Sequence, residues 1–486
     1  MCASSKPGFA EASFRDPSGR LVRLGDRIIR IVGKEGIFDL KAFLSSSTAS
    51  KFLNSKNLVG TTFISDAEVI EMVRQNLPTV SDQSSFVEHE RIPFQSFPYE
   101  WPAEMLYKAG SLTLDLSESL LAEGLGLKDA TPYNVLYRGS TPVFIDLLSF
   151  EKRSAGNPTW LPSAQFQRTF LLPLLVNKYF SIPLDQIFMT SRDGLEPESV
   201  YNLSGTARRL LPPFLSMVSI PTWLGKSATS KPTDQSQTIY QEKSSADPEK
   251  TKFILQSLFR RLRRSLEKVA PDPDRKSTWS GYMLPNASFS DSYFAAKNAY
   301  MSEVIQEFKI QKVLDVGCNT GHFSFMAAKA GASVVAIDYD PVVIGKVWRQ
   351  AESEKLNILP LVVNLSRPTP STGWRNSECP AFLDRARGSF DAVFMLAVIH
   401  HMLVSERIPL DEIIDLASEL TTDLLVIEFV PNDDPLFRVL TRGREHLHTD
   451  FTKESFEASL NRKFDIVRSQ RLAETGRVIY VLRKKA

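Results

Sequence analysis

The sequence predicts an α/β fold whose mostly parallel sheet ends in an antiparallel pair, preceded by a separate α+β domain. Three observations carry that expectation. From about Tyr300 onward, short and almost wholly apolar runs ("KVLDVG", "SVVAID", "ILPLVVN", "FDAVFML", "DLLVIEFV") alternate with segments of helical spacing. Strands that are apolar on both faces and separated by helices belong to a parallel sheet covered on both sides. The last two runs, "FDIVRSQRL" and "RVIYVLRKK", are joined only by Ala473, Glu474, Thr475 and Gly476, and so short a connection requires an antiparallel pair. Third, the stretch "GKSATSKPTDQSQTIYQEKSSADPEK" is polar and without hydrophobic period, as a linker between two folded parts would be.

Length supports the division, because 486 residues exceed the ~250 to 300 at which single cores stop growing. The expected organisation is an N-terminal α+β domain over residues 1–222, a flexible linker over 223–252, and a second domain over 253–486. The second part opens with "FILQSLFRRLRRSLEKV", where Leu255, Leu258, Phe259, Leu262 and Leu266 recur at helical spacing. That pattern predicts a helix docked by its apolar stripe, with Arg260, Arg261, Arg263 and Arg264 in solvent.

Composition sets the class. With 43% hydrophobic and 23% charged residues the chain is expected to be globular. Lys plus Arg at 58 against Asp plus Glu at 56 gives a net charge of +2, which argues against nucleic-acid binding driven by bulk charge. Cys2, Cys318 and Cys379 are far apart and match no metal-ligand spacing. No apolar leader precedes the first domain and "FLLPLLV" is too short to span a bilayer, so a cytoplasmic location without stable membrane association is expected.

The chemistry of the second part centres on "VLDVGCNTGHFSF", Val313 to Phe325. A strand that ends in a glycine-rich turn opening a helix offers backbone N–H groups and close approach to a ligand. Gly317 and Gly321 supply that approach. A phosphate-binding loop of the Gly-Lys-Ser/Thr type is excluded, since no such lysine follows. A dinucleotide fingerprint would want glycine at 319, where this chain has Asn319. Asparagine tolerates the left-handed backbone but crowds the place of a pyrophosphate. At the end of the next run, Asp338 in "AIDYD" is placed to accept both hydroxyls of a ribose. An adenosine ligand without a pyrophosphate fits these residues best.

Together, "VLDVGCNTGHF", "AIDYD" and "FDAVFMLAVIHH" resemble the class I S-adenosylmethionine-dependent methyltransferases, over roughly residues 290–486. The resemblance implies a Rossmann-like methyltransferase sheet with an antiparallel last strand and S-adenosyl-L-methionine as cofactor. It implies that Asp315, Gly317 and Gly321 surround the methionine moiety and that Asp338 binds the ribose. Asn364 in "LVVNLS" stands where that family often has a residue near the adenine, though an asparagine also suits a strand-ending turn. Candidate proton acceptors are His400 and His401, after the fourth strand, and Glu428, followed by the acidic turn of Asp433 and Asp434. Structural roles for these three stay open. No metal site is legible in the pattern.

In the first part, "LKDATPYNVLYRGSTPVFIDLLSF" places Asp129, Asn134 and, beyond a hairpin through Arg138, Gly139 and Ser140, Asp146. The stretch resembles the catalytic loop of aminoglycoside-phosphotransferase-like kinases, where that order supplies a catalytic aspartate and two metal ligands. Leu127 departs from the histidine of those families, and neither a glycine-rich phosphate loop nor a strand lysine is found. "FRDPSGRLVRLGDRIIRIV" suggests a hairpin, and "RIPFQSFPYEWP" a strand running into a hinge. A weaker whole-chain resemblance, through "FPYEWP", "LKDATPYNV" and "FIDLLSFE", is to rhizobial host-specific nodulation proteins that join such a region to a methyltransferase.

The leading reading is an enzyme that moves a methyl group from S-adenosylmethionine to a small-molecule or carbohydrate acceptor, behind a kinase-like or substrate-presenting domain. The alternatives are an NAD-dependent oxidoreductase, disfavoured by Asn319 and the terminal antiparallel pair, a bifunctional protein with added kinase-like activity, and a non-catalytic scaffold. The accepting atom and the oligomeric state are not written in the sequence.

Overall fold

Strands β1 (Phe9–Ser13), β2 (Gly19–Leu24) and β3 (Arg27–Val32) form an antiparallel meander; of the hairpin expected over 14–32, residues 19–32 form β2 and β3 with Gly25 turning at φ 59°, and residues 14 and 15 lie outside the described residues. With β4 (Thr61–Phe63) and β5 (Ser85–His89) they make an antiparallel sheet in the order β1-β2-β3-β5-β4. Val22, Ile29, Ile31 and Phe86 bury one face of it against Val69 and Val73 of helix Ala67–Asn76. The strand expected in "RIPFQSFPYEWP" is absent: β5 ends at His89, and only a short 3-10 turn, Pro98–Glu100, follows. Pro93 and Pro98 lack the N–H that a ladder needs. Beyond helix Ala103–Leu121, β6 (Leu125–Leu127) pairs with β9 (Phe150–Lys152), and β7 (Val135–Arg138) pairs with β8 (Thr141–Phe144) through Gly139 at φ 57°.

This computed structural model describes residues 9–13, 16–154, 156–229, 247–280, 291–472 and 475–485. The chain divides into two units, Met1–Tyr99 with Ala103–Asp272, and Glu100–Pro102 with Pro273–Ala486. The division differs from the expected boundary. Helix Pro248–Lys268 belongs to the first unit because its stripe of Leu255, Phe259, Leu262 and Leu266 is buried along helix Ala103–Leu121. Gly110 permits the approach, since a side chain there would meet Leu266 Cδ1 at 3.5 Å and Phe170 Cδ1 at 3.2 Å. Of the arginines expected in solvent, Arg263 is instead bonded to Asp115 at 2.7 Å and Glu118 at 3.0 Å. Of the expected linker, the first residues continue helix Ile220–Thr229 and the last belong to Pro248–Lys268, while 230–246 lie outside the described residues.

In the second unit every expected apolar run is a strand: β10 (Lys312–Val316), β11 (Ser333–Asp338), β12 (Ile358–Val362), β13 (Phe390–Met395), β14 (Thr421–Phe429), β15 (Phe464–Arg471) and β16 (Val478–Lys484). They form one sheet in the order β12-β11-β10-β13-β14-β16-β15. The first five are parallel, and β16 runs antiparallel to both β14 and β15. Chain order reverses between β10 and β13, so a crevice opens at their carboxyl ends, where ligands bind in sheets of this kind. Among the described residues no helix is long and apolar enough to cross a membrane.

The packing of helix Pro248–Lys268 sets a first expectation. Phe259 is 3% exposed with the Trp160 ring edge-on at 5.0 Å. Phe259→Ala should lower stability by about 3–5 kcal/mol, read as a fall in the urea midpoint; a loss below about 1 kcal/mol would show that this helix is not a core element.

Candidate functional site

At the crevice, β10 ends and the chain turns through left-handed residues, Gly317 at φ 66°, Asn319 at φ 49° and Gly321 at φ 83°, before helix His322–Lys329. Glycine is required at 317 for space as well as for backbone: a Cβ would come within 2.4 Å of Val398 Cγ2. At Gly321 it would meet Val347 Cγ2 at 2.9 Å. The amides of Gly317 and Cys318 both donate to Ile337 O, at 2.8 and 3.0 Å, which ties the turn to the end of β11.

Two buried carboxylates flank the turn. Asp338 accepts from Asn319 N through Oδ2 and from Asp340 N through Oδ1, each at 3.0 Å. Asp315 accepts from Ser324 Oγ at 2.5 Å. Burial pushes the Asp315 carboxyl up to about 7, against the Ser324 bond, and the Asp338 carboxyl up to about 6, against its backbone bonds. Neither forms an ion pair among the described residues. Beside them Asp340 caps helix Pro341–Glu354 through Oδ1, while its Oδ2 is buried without a partner among the described residues.

Asn364 follows β12 and accepts from Ser366 N at 2.9 Å, a turn-closing bond. Val363 N donates to Asp338 O at 2.9 Å, so this turn adjoins the end of β11.

The histidines lie beyond β13. Val398, the residue against Gly317, precedes His400 and His401 on helix Ile399–Val404. The His401 ring stands edge-on to Trp279 at 5.4 Å, and Trp279 O accepts from Asn319 Nδ2 at 3.2 Å. His400 is 1% exposed, and neither ring nitrogen has a partner among the described residues. Burial lowers the pKa of both histidines, well below the usual value for His400, so both are neutral at pH 7.

Glu428 is the exception among the candidate proton acceptors. It is fully buried and receives Lys297 Nζ at 2.5 Å, Tyr293 OH at 2.9 Å and Arg477 Nη1 at 3.2 Å. Arg477 also holds Asp434 through Nε at 2.8 Å and Nη2 at 3.0 Å. Burial alone would raise the Glu428 carboxyl; Lys297 and Arg477 hold it below the ordinary range. A carboxylate bonded to two cations and a phenol is a poor base, so the structure gives Glu428 a framework role. Sequence reasoning missed Tyr293, Lys297 and Arg477, which carry no motif, and Trp279, whose only signal was a lone aromatic in a polar stretch.

In the first unit, Asn134 Nδ2 donates to Ser149 Oγ at 3.1 Å, and Ser149 Oγ donates to Asp146 Oδ2 at 2.7 Å. Arg30, on β3, donates to Asp146 Oδ1 at 2.8 Å and to His89 Nε2 at 3.2 Å. Burial and Arg30 depress His89 to about 3, so its ring is neutral with Nε2 accepting, which leaves Nδ1–H to donate to Thr61 Oγ1 at 2.8 Å. Asp129 is exposed yet pushed above the ordinary range, by partial desolvation and then by Asp146 and Asp16. The three sequence candidates thus share one neighbourhood, with Arg30 where a strand lysine was sought. Among the described residues no group of three or more His, Cys, Asp or Glu side chains is placed to hold a metal ion.

Comparison with known proteins agrees with the second unit's topology. Residues 314–423 match a methyltransferase domain family. The chain is 28% identical over 487 aligned positions to nodulation protein NoeA of Rhizobium meliloti (strain 1021), covering 100% of this chain and 98% of that one. It is 32% identical over 129 residues to the tRNA U34 carboxymethyltransferase of Alcanivorax borkumensis, covering 24% of this chain and 33% of that protein. Among solved structures, the N-methyltransferase NodS of Bradyrhizobium japonicum WM9 in complex with S-adenosyl-L-homocysteine aligns at 12% identity and TM-score 0.31, covering 46% of this chain and 98% of that one. The second unit carries a methyltransferase domain.

The two raised carboxyls set the pH dependence. Their folded pKa lies above the ordinary aspartate value of about 3.9, so the native state holds protons that the unfolded chain has released. Stability present below about pH 4 is therefore lost as pH rises through 6 and 7. Asp315→Asn keeps an acceptor for Ser324 and removes the charge. It should match the wild type near pH 4 and exceed it at pH 8 in thermal unfolding without ligand; a variant that is less stable at pH 8 contradicts the assignment.

Proposed function

We propose that the protein is an S-adenosylmethionine-dependent methyltransferase acting on a small-molecule or carbohydrate acceptor. The observation that carries this reading is the pairing of a left-handed glycine turn with two buried carboxylates that form no ion pair among the described residues. Such an edge favours a ligand that brings positive charge and ribose hydroxyls, and it opposes the pyrophosphate of a dinucleotide. The cofactor supplies a methyl group on a cationic sulfur. Gly317 and Gly321 leave the room a side chain would fill, Asp315 lies beside the methionine portion, and the free lone pairs of Asp338 suit the ribose hydroxyls. Asn364 adjoins the strand end that would face the adenine. His400 and His401 lie where the acceptor would meet the methyl group, and holding the two in line supplies much of the rate. The full-length likeness to a nodulation protein fits a bacterial metabolite as acceptor.

The first unit is read as a domain that docks or presents the acceptor. Asp146 and Asn134, the residues that would hold Mg²⁺, are already engaged by Arg30 and Ser149.

Calorimetry with S-adenosylmethionine, S-adenosylhomocysteine and NAD tests the cofactor: the first two should bind and NAD should not. Asp338→Ala should weaken S-adenosylmethionine binding by about 1–3 kcal/mol, from the loss of charge-assisted bonds. Unchanged affinity would remove Asp338 from the site. For the first unit, the full chain should bind ATP-Mg weakly or not at all. Micromolar binding that Asp146→Ala abolishes would instead establish a phosphoryl-transferring site.

A further inference from the structure

The first unit carries an apolar surface in addition to its core. Leu203, Leu210, Leu211, Ile220, Trp223 and Leu224 are each between 43% and 66% exposed. A single exposed leucine is ordinary on a protein surface, whereas a contiguous group marks a contact. Helix Ile220–Thr229 shows the surplus most plainly. Met217, Val218 and Thr222 are buried and dock this helix and the turn before it. Ile220, Trp223 and Leu224, at helical spacing on the other face, meet solvent where polar side chains belong.

Hydrogen bonds hold the group together. Trp223 Nε1 donates to Tyr201 OH at 3.4 Å, which joins this helix to helix Pro197–Leu203. Ser219 Oγ donates to Arg209 O at 2.7 Å, which joins it to helix Thr206–Arg209, just before Leu210 and Leu211. Cations stand in the same neighbourhood. The Arg209 guanidinium lies 4.0 Å from the centre of the Tyr201 ring, and that of the exposed Arg208 lies 4.9 Å from the Phe180 ring. Neither arginine forms an ion pair among the described residues. Between Glu198 and Asp234 the sequence has no acid at all, against Arg208, Arg209, Lys226 and Lys231.

That combination selects the partner. A nucleic acid would meet the cations and leave the leucines in water, since such interfaces are polar. A second copy of this chain, docked about a two-fold axis, would bring the same arginines to the same surface, with no acid in the stretch to receive them. An anionic bilayer accepts both parts. Its acyl region takes the leucines, its phosphates take the guanidiniums, and tryptophan favours the boundary between the two. We propose that this face of the first unit, built around Trp223 and Leu224, is a docking surface for a membrane containing anionic lipid. The contact is peripheral: side chains enter one leaflet, and no helix among the described residues can cross it. One apolar group with a few cations gives reversible attachment rather than a permanent anchor.

The test uses the full-length protein in flotation with vesicles of phosphatidylcholine and phosphatidylglycerol, and with vesicles of phosphatidylcholine alone. The protein should float with the mixed vesicles and bind the neutral ones about tenfold less well or worse. Arg208→Gln should weaken binding about fivefold, the effect of one cation at an anionic surface. Leu211→Asp combined with Leu224→Asp should weaken it about a hundredfold or more, through lost apolar burial and added negative charge. Lipids brominated in their chains should quench Trp223, seen as quenching that Trp223→Phe removes while the vesicles still hold that variant. This last reading decides where the double aspartate variant does not fold. Equal binding to both kinds of vesicle, flotation that survives in the folded aspartate variant, or no quenching at Trp223 overturns the proposal. So does a failure to float, and a dimer that the same aspartates split would then give the face to a second copy.

Discussion

Two backbone amides converge on one carboxylate: Asn319 N and Asp340 N both donate to Asp338. The first amide belongs to the turn after β10 and the second to the start of helix Pro341–Glu354, so this side chain fixes the turn against the end of β11. The left-handed angles at Gly317, Asn319 and Gly321 would otherwise be free to relax. With the turn fixed, Gly317 presents a bare backbone to Val398, and that contact sets where the chain leaves β13 and hence where His400 lies. The glycine turn and the histidine pair are thereby positioned by one short chain of contacts.

Much of this was legible because it is periodic or local. The strands of the second unit are apolar on both faces, and the antiparallel end was forced by the length of one connection. The left-handed tolerance of asparagine correctly allowed a turn at 319. What escaped notice depends on long-range pairing. Arg477 precedes β16 and Lys297 lies on a helix before β10, and only the fold brings them to Glu428, which as a lone buried acid could equally have been a base. The division between units was misplaced for a related reason: helix Pro248–Lys268 has the stripe that was read from it, but a stripe does not say which neighbour covers it. Arg30 was passed over because a lysine was sought, whereas the environment on β3 asks only for a cation beside Asp146.

In the first unit three polar residues spaced along one loop and hairpin come together beside an arginine. Asp129, Asn134 and Asp146 keep their order and come together, yet a serine joins the last two and an arginine holds Asp146 in a half-buried ion pair. Guanidinium is planar, always charged and able to bond several acceptors at once, so it engages Asp146 and His89 together where an ammonium would act as a point charge. A divalent ion at Asp146 would have to compete with Arg30 for one carboxylate oxygen and with Ser149 for the other.

The acids of the second unit divide according to what surrounds them, and the division has a chemical consequence. Glu428 and Asp434 are matched by Lys297 and Arg477, two acids against two bases, so this cluster is electrically neutral although it is built of charges. Among the described residues Asp315 and Asp338 have no such partners, and the low dielectric around them resists ionisation. A cation arriving at the turn would supply what they lack, and its charge counts for more beside buried carboxyls than in water. When a methyl group leaves a sulfonium, that positive charge disappears and the attraction goes with it. A carboxylate pair of this kind would distinguish a charged sulfonium from its uncharged product.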